Sequence, residues 1–329
     1  MFKALFLDKK DNEFNLSINQ VAKDDLLKES GNTLVKILYS SLNYKDALAI
    51  TNTAPVVRKW PMVPGIDGVG EVVSCADNTY KKGDLVVLNG WGCGENHWGC
   101  LSQYAYLESK WLIPLPKSFS PKDAMAIGTA GYTAGLCVQK IINHGVKPED
   151  GPILVTGATG GVGSVAITLL SKLGYEVTAA TSKAQENSYL TDLGVANLID
   201  AKSLSEQGKS LQKEVWAAAI DVLGSSTLSN VCAQIKYGGI VAACGMAQSL
   251  NFPTTVAPFI LRGVTLAGVD SVMCRYDDRI KAWSLIEKYF NPESLQYISR
   301  TIPLSDCENV ANDMINGKIK GRFIVDVNC

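Results

Sequence analysis

Between residues 153 and 269 one pattern repeats, and it restricts the folds open to this chain. Six short apolar segments, 153–156, 176–180, 197–200, 217–222, 240–244 and 264–269, alternate with stretches of helical character such as 162–172 and 184–193. Strands joined by long crossovers cannot pair as hairpins. They pair in parallel, and the crossover helices cover both faces of the sheet. The expectation here is a doubly wound six-stranded parallel sheet.

The first strand of that series runs into Thr156-Gly157-Ala158-Thr159-Gly160-Gly161-Val162-Gly163, and a helix follows. A Gly-x-Gly-x-x-Gly fingerprint would carry glycine at 158, where alanine stands; Gly160 and Gly163 fill the second and third places. Gly160 would let the backbone approach a pyrophosphate, and Gly163 would let the helix pack closely on the strand. The helix N-terminus would offer free N–H groups to the phosphates. The turn therefore predicts a dinucleotide site. An NAD site usually carries Asp or Glu about 20 residues further on, to hold the ribose 2′-hydroxyl. Here the second strand ends in Ala180-Thr181-Ser182-Lys183. Hydroxyls and a lysine suit a 2′-phosphate, which points to NADPH; otherwise Lys183 is only the solvated first turn of the next helix.

The flanking regions differ. The first 120 or so residues are β-rich, with strand formers at 34–39, 69–73 and 84–88 and turn dipeptides Pro64-Gly65 and Gly83-Asp84. Short strands at close spacing predict a small barrel or sandwich, ended by the two prolines of Ile113-Pro114-Leu115-Pro116. Residues 124–142 read as helix. The last 60 residues return to mixed structure. Helices are expected at 278–289 and 305–315, the latter with Ser305 as N-cap, Glu308 three residues on and Gly317 past its end. A terminal strand at 323–327 is expected to close onto the N-terminal β domain. The domains expected are 1–123, 124–266 and 267–329.

Composition excludes several function classes. Lysine and arginine number 31 against 32 acids, so no basic footprint for nucleic acid exists. No apolar run approaches the ~20 residues of a membrane span, and the N-terminus reads as a strand rather than a signal peptide. Nine scattered cysteines and two histidines suit reduced thiols in the cytoplasm better than a disulfide framework. Cys93, His97 and Cys100 fall within eight residues, yet the bland reading of a thiol-bearing loop outweighs a metal site.

With these elements in place, the whole chain resembles the medium-chain dehydrogenase/reductase superfamily. Pro64-Gly65-Ile66-Asp67-Gly68-Val69-Gly70-Glu71-Val72 is similar to its Pro-Gly-His-Glu-x-x-Gly segment, with Ile66 in place of the histidine. Ser41-Leu42-Asn43-Tyr44-Lys45-Asp46 is similar to the segment that carries a zinc-binding cysteine in alcohol dehydrogenases, with Asn43 in that place. The third ligand's region, 126–132, has no cysteine. The resemblance is therefore to the zinc-free, quinone-oxidoreductase-like branch. Within it, residues 41–50, 94–99, 127–131, 258–262 and 268–273 resemble the acrylyl-CoA reductase subfamily.

The resemblance implies a GroES-like β-rich catalytic domain beside the doubly wound (Rossmann) nucleotide-binding domain, a homodimer, and NADPH-dependent reduction of an activated carbon–carbon double bond. Without zinc, hydrogen-bond donors must stabilise the enolate that hydride transfer creates. Tyr44 and Asn43 are the donors at that place, with Asp67 as a further catalytic candidate and Asp46 a weaker one. Tyr44 either acts in catalysis or only supports the cofactor. Asp67 otherwise pairs with a cation and holds the pocket floor. Cofactor contacts are implied for Tyr44, Thr129, Thr159, Gly160, Gly161 and Val162. They are implied also for Thr181, Ser182, Lys183, Gly245, Met246, Ile260 and Ser271. Arg322 either reaches the cofactor from the tail or sits on the surface. One departure stands out: family members often carry arginine just after the third strand, where this chain has Ala201 between Asp200 and Lys202. The substrate expected is an enoyl-CoA, with a quinone or small enone as the alternative and an NADPH-binding sensor without turnover as a third reading. Lys45, Arg58, Lys59 and Arg275 are cations available for CoA phosphates. His97 is a weak candidate proton source.

Overall fold

The computed structural model describes residues 1–11, 13–182 and 187–329. In chain order its elements are β1 (Phe2–Lys10), β2 (Glu13–Val21), α1 (Lys23–Leu26), β3 (Thr33–Leu42), α2 (Tyr44–Ile50), β4 (Asp67–Cys75), β5 (Leu85–Asn89), β6 (Tyr104–Leu107), β7 (Leu112–Pro114) and α3 (Pro121–His144). There follow β8 (Ile153–Val155), α4 (Gly161–Lys172), β9 (Val177–Thr181), α5 (Asn187–Asp192), β10 (Asn197–Asp200), β11 (Trp216–Asp221), α6 (Ser225–Gln234), β12 (Ile235–Ala243), α7 (Ala257–Arg262) and β13 (Thr265–Gly268). The tail holds α8 (Tyr276–Tyr289), α9 (Pro292–Ile298), β14 (Ser299–Pro303), α10 (Cys307–Ile315) and β15 (Arg322–Asp326).

The chain divides into two compact units. The first comprises Met1–Thr129, Val272–Ile280 and Asn291–Cys329. Its main sheet has the order β14-β15-β3-β4-β5-β7, with β6 also paired to β3, and β1-β2 form a separate hairpin. The tail closes as expected: β15 pairs antiparallel with β3, Phe323 opposite Leu42 and Val325 opposite Ser40. Pro114 does enter a strand, but β7 is the outermost strand, where a missing N–H costs no ladder bond. Leu5, Val35, Ile37, Leu42, Leu88, Cys307 and Val325 share one buried core, and α10 packs against α2.

The second unit comprises Ala130–Ser271 and Lys281–Phe290. It holds the expected sheet: six parallel strands in the order β10-β9-β8-β11-β12-β13. All residues of β8 and β11 are buried, because helices on both faces leave no wet side for a central parallel strand. The edge strands β10 and β13 are half-exposed or exposed throughout.

One cap differs from expectation. Ser305 lies in a 3-10 turn over Leu304–Asp306, its hydroxyl donating to Asp306, and α10 begins at Cys307 after Asp306. The extra turn displaces the helix start by two residues. Gly317, at φ 66°, does close the C-terminus, and Lys318 N–H reaches back to the Asp313 carbonyl at 2.9 Å.

Candidate active site

In the first unit, the end of β3 and the start of α2 bring four polar residues together. Asn43 is the N-cap of α2 in extended conformation, so Tyr44 begins the helix and points its ring outward. Asp46, at the third helical position, accepts from the Asn43 N–H at 3.0 Å and from its amide nitrogen at 3.2 Å. Its other oxygen accepts from the N–H groups of Gly65 (3.1 Å) and Ile66 (2.9 Å). Asp46 thus pins α2 to the turn before β4. Burial and the nearby Asp67 push its carboxyl up to about 7, against the pull of those hydrogen bonds.

Asp67 opens β4 and is fully buried. It accepts from Ser41 N–H at 3.0 Å, from the Ser41 hydroxyl at 2.8 and 2.9 Å, from the Asn43 amide at 2.9 Å and from Thr129 N–H at 2.7 Å. Arg322, the first residue of β15, donates to the Ala126 carbonyl (3.1 Å), Asn43 Oδ1 (3.0 Å) and the Ser41 hydroxyl (2.6 Å). Burial lowers the Arg322 pKa from its ordinary value, while Asp67 and Asp46 counter that shift.

The Thr129 contact requires a break in α3. Gly128 has φ 52° and ψ −161°, which interrupts the helix and turns the next N–H toward Asp67. A Cβ at Gly128 would stand 2.2 Å from Arg322 Nη2, 2.5 Å from Ser41 Oγ and 2.9 Å from Asp67 Oδ2. Both the left-handed backbone and the close approach exclude a side chain there.

These contacts bear on the alternatives left by the sequence. Arg322 does not lie on the surface; it is 3% exposed and its guanidinium is bound inside the cluster. Asn43 has no free donor for an enolate, because its amide hydrogens go to the two carboxylates and its oxygen to Arg322. Asp67 accepts from Ser41, Asn43 and Thr129 with its two carboxylate oxygens. The physical reason is common to all three: a carboxylate this deep must be surrounded by donors. Tyr44 is different. It is 42% exposed, and its hydroxyl has no hydrogen bond to any described residue. His97 is buried, with its two ring nitrogens 2.8 and 2.6 Å from the carbonyls of Trp98 and Ser30, so it anchors its loop. Ser41 and Gly128 escaped sequence reading. A glycine inside an Ala-rich helical run costs about 1 kcal/mol against alanine, and that was the available signal for Gly128.

Of the four cations offered for CoA, Lys45 pairs with Glu95, Lys59 with Glu29 at 2.7 Å and Arg275 with Asp278 at 3.3 Å. Arg58 is exposed. Among the described residues, no group of three or more His, Cys, Asp or Glu is placed to hold a metal ion. No helix among them is long and apolar enough to cross a membrane.

In the second unit, the glycine-rich turn follows β8. Gly160 caps α4, and the N–H groups of Gly161, Val162 and Gly163 have no partner among the described residues. A Cβ at Gly163 would meet the Gly157 carbonyl oxygen at 2.5 Å and Ala158 Cα at 2.7 Å, so this glycine does permit close helix packing. At Gly160 the nearest atom would be 3.3 Å away. Thr156 donates its hydroxyl to Asp221 at 2.7 Å, and Asp221 also accepts from Gly224 N–H at 2.7 Å. Those bonds fix the ends of β8 and β11 together. Thr159 is buried, Thr181 half-buried and Ser182 exposed; Met246 and Ile260 are exposed, with Gly245 and Ser271 half-buried. Lys183 lies outside the described residues. Open N–H groups, a turn without bulky side chains and a β9 end without an acid fit a phosphorylated dinucleotide.

The sequence matches the alcohol dehydrogenase GroES-like domain over residues 29–117 and the zinc-binding dehydrogenase domain over residues 161–288. It is 44% identical to the acrylyl-CoA reductase AcuI of Ruegeria pomeroyi, over 100% of both chains. The crystal structure of Escherichia coli YhdH with bound NADPH is similar at a TM-score of 0.96 and 44% identity, covering 99% of this chain and 100% of that one. Bacillus subtilis YhfP with NAD bound is similar at 0.93 and 38% identity, covering 99% of each.

Proposed function

The chain belongs to the medium-chain dehydrogenase/reductase family, and from that premise we propose that it is an NADPH-dependent reductase of enoyl thioesters that converts acrylyl-CoA to propionyl-CoA. One observation carries the residue assignment: Tyr44 offers an exposed hydroxyl, without a partner among the described residues, beside a cluster whose other polar groups are satisfied. The end-to-end likeness to an acrylyl-CoA reductase supports the substrate. The open N–H groups of residues 161–163 and the acid-free end of β9 support the phosphorylated cofactor.

NADPH, when bound, supplies the hydride that adds to the β-carbon of the thioester. The Tyr44 hydroxyl then donates a hydrogen bond to the thioester carbonyl oxygen, where negative charge gathers. The α-carbon takes its proton from Tyr44 or from water. Asn43, Asp46, Asp67, Ser41 and Arg322 act as positioning residues: they fix the first turn of α2 and so the place from which Tyr44 reaches out. Thr159, Gly160, Gly161, Val162, Thr181, Ser182, Lys183, Gly245, Met246, Ile260 and Ser271 form our proposed cofactor surface, and the Thr129 backbone joins the cluster.

We read the branch as zinc-free. Ile66 and Ala126 are buried and carry no donor atoms, so chelators should leave turnover unchanged. We place the enzyme in the cytoplasm, where its nine free thiols stay reduced. We take it to be a homodimer: β13 is an edge strand, and Met246, Leu250, Val256, Ile260 and Leu261 in the same unit are exposed apolar residues. The domain division at 123 and 266 stays part of this reading.

The test is NADPH oxidation against acrylyl-CoA, crotonyl-CoA, free enones and quinones. Acrylyl-CoA should give the highest kcat/KM. Faster turnover of a quinone, or none of any substrate with NADPH still bound, would overturn the assignment.

A further inference from the structure

The strand order β10-β9-β8-β11-β12-β13 reverses once. From β8 the chain adds β9 and β10 on one side, then β11, β12 and β13 on the other. In such sheets ligands bind in the crevice outside the carboxyl ends of the strands that flank the reversal. Those ends are Thr156-Gly157, directly after β8, and Asp221, the last residue of β11. Asp221 is completely buried, and the proposed chemistry does not use it.

Its two carboxylate oxygens divide between two segments. Oδ1 accepts from the Thr156 hydroxyl at 2.7 Å, and Oδ2 accepts from Gly224 N–H at 2.7 Å. The Thr156 hydroxyl is also engaged on its other side, where it accepts from Val222 N–H at 3.1 Å. Its proton points to Asp221 and its lone pair to Val222, which leaves the side chain one orientation. Gly157 follows at φ 58°, and a Cβ there would stand 2.3 Å from Val222 Cγ2. The Gly157 carbonyl accepts from Gly160 N–H at 3.0 Å, and Gly160 is the N-cap of α4. A Cβ at Gly163 would come within 2.5 Å of the same carbonyl oxygen. The start of α4 is thus built on Gly157, and Thr156 locates Gly157.

The second oxygen holds a strained corner. Gly224 has φ 72° and Ser225 has φ 53°, a left-handed backbone that serine rarely adopts. Such geometry persists where the surroundings over-determine it, and it gathers at ligand clamps. Val222, Leu223 and Ser225 are half-exposed around a carboxylate that is itself sealed from solvent.

We propose that Asp221 is a positioning residue for the dinucleotide: without touching the cofactor it sets, through Thr156, the place of the glycine-rich turn and of the N–H groups at 161–163 that receive the pyrophosphate. The inference rests on the dinucleotide reading above. Two acceptor oxygens are needed because both segments present donors. An asparagine would offer one oxygen and an NH2 group, and would hold only one segment.

The experiment compares full-length Asp221→Asn, Thr156→Val and Thr156→Ser with the native protein, by NADPH fluorescence titration below the thermal transition of each. Thr156→Val loses the hydroxyl and Thr156→Ser keeps it. NADPH affinity should fall roughly tenfold or more in Asp221→Asn and Thr156→Val, the effect of losing a hydrogen bond to a charged group. It should be restored in Thr156→Ser. The double variant Asp221→Asn/Thr156→Val should lose little beyond the weaker-binding single variant, because the two side chains act as one unit. At saturating NADPH, kcat and the KM for acrylyl-CoA should change less than twofold. A purely structural role would lower the unfolding temperature and leave the NADPH affinity of the folded protein intact. Should Asp221→Asn not fold, the valine and serine variants at 156 decide. Folded Thr156→Val with native NADPH affinity, or Thr156→Ser as weak as Thr156→Val, would overturn the inference alone. A native protein that fails to bind NADPH would overturn the cofactor reading and the inference with it.

Discussion

The cluster around Asp67 and the turn between β8 and α4 treat their polar groups in opposite ways. Around Asp67, side chains and backbone groups from positions 41, 43, 126, 129 and 322 satisfy one another, and the Tyr44 hydroxyl beside them has no partner among the described residues. In the turn, the groups on offer are backbone N–H groups, and those of Gly161, Val162 and Gly163 have no partner among the described residues. The first arrangement gives stiffness, since a buried charge network holds only one geometry when every member is paired. The second gives a receptor, since open N–H groups at a helix start wait for an anion. Removing one member should therefore damage the cluster's fold, and altering the turn's surroundings should damage binding alone.

The largest break in this contrast is expected at Arg322. Arg322→Met removes the guanidinium that donates to Ser41, Asn43 and Ala126, and with it the positive charge that acts on Asp67 and Asp46. Leaving a buried charge uncompensated costs about 3–5 kcal/mol. Urea unfolding should show a loss of that size, and a loss below about 1 kcal/mol would mean that the cluster does not depend on its cation.

Next in size is Tyr44. Tyr44→Phe keeps the ring and the helix start and removes only the hydroxyl. If that hydroxyl acts in the transition state, kcat should fall by a factor on the order of 10², with NADPH affinity nearly intact. Unchanged kcat beside weakened NADPH binding would return Tyr44 to a supporting role and shift the donor to backbone N–H groups or water.

This division also explains what the sequence made legible. The turn is contiguous: strand, glycines and helix stand within the twenty residues 153–172, so periodicity and spacing reveal it. All six strands of the parallel sheet follow from the same local signal. The cluster draws on residues up to 281 positions apart, as in the Ser41–Arg322 bond. Asn43, Asp67 and Arg322 were recognisable as chemical residues, but no local pattern says that they face each other rather than a ligand. The direction of a polar side chain is decided by which donors tertiary packing brings near, and only Tyr44 keeps the outward course its position allowed. Ser305 failed as a cap for a related reason: a 3-10 turn satisfied the local backbone first.

Asp46 sharpens the contrast through pH. Its folded pKa is about 7, against about 3.9 for an exposed aspartate. The folded state therefore binds the proton more tightly than the unfolded state. The stabilisation is complete below about pH 4 and is lost as the pH rises through about 7. Between pH 5 and pH 8 the loss should be about 2–3 kcal/mol. Asp46→Asn removes the titration, and its amide faces four donors, so the variant starts less stable. Thermal unfolding at both pH values should show the gap between native and variant narrowing as the pH rises. A gap that is constant with pH would mean that Asp46 does not titrate in this range.

The smallest effect is expected at the turn's side, with Lys183. Thr181 ends β9 and the exposed Ser182 follows, so the described end of the strand carries no acid. If Lys183 contacts the 2′-phosphate, Lys183→Ala should narrow the difference between NADPH and NADH binding by roughly 1–2 kcal/mol, about five- to thirtyfold in the affinity ratio. Stability should hardly change, in contrast to Arg322→Met, because a cation near a solvated phosphate leaves no buried partner stranded when it goes. The contribution should also shrink with added salt, as that of an exposed charge does. The measured quantity must be the ratio, since a relative at 38% identity has been crystallised with NAD bound and absolute NADH binding by itself discriminates nothing. Fluorescence titration of both cofactors against native protein and variant gives it directly. Equal affinity of the native protein for NADPH and NADH would remove the phosphate from the recognition altogether, and the turn would then be a receptor for the pyrophosphate only.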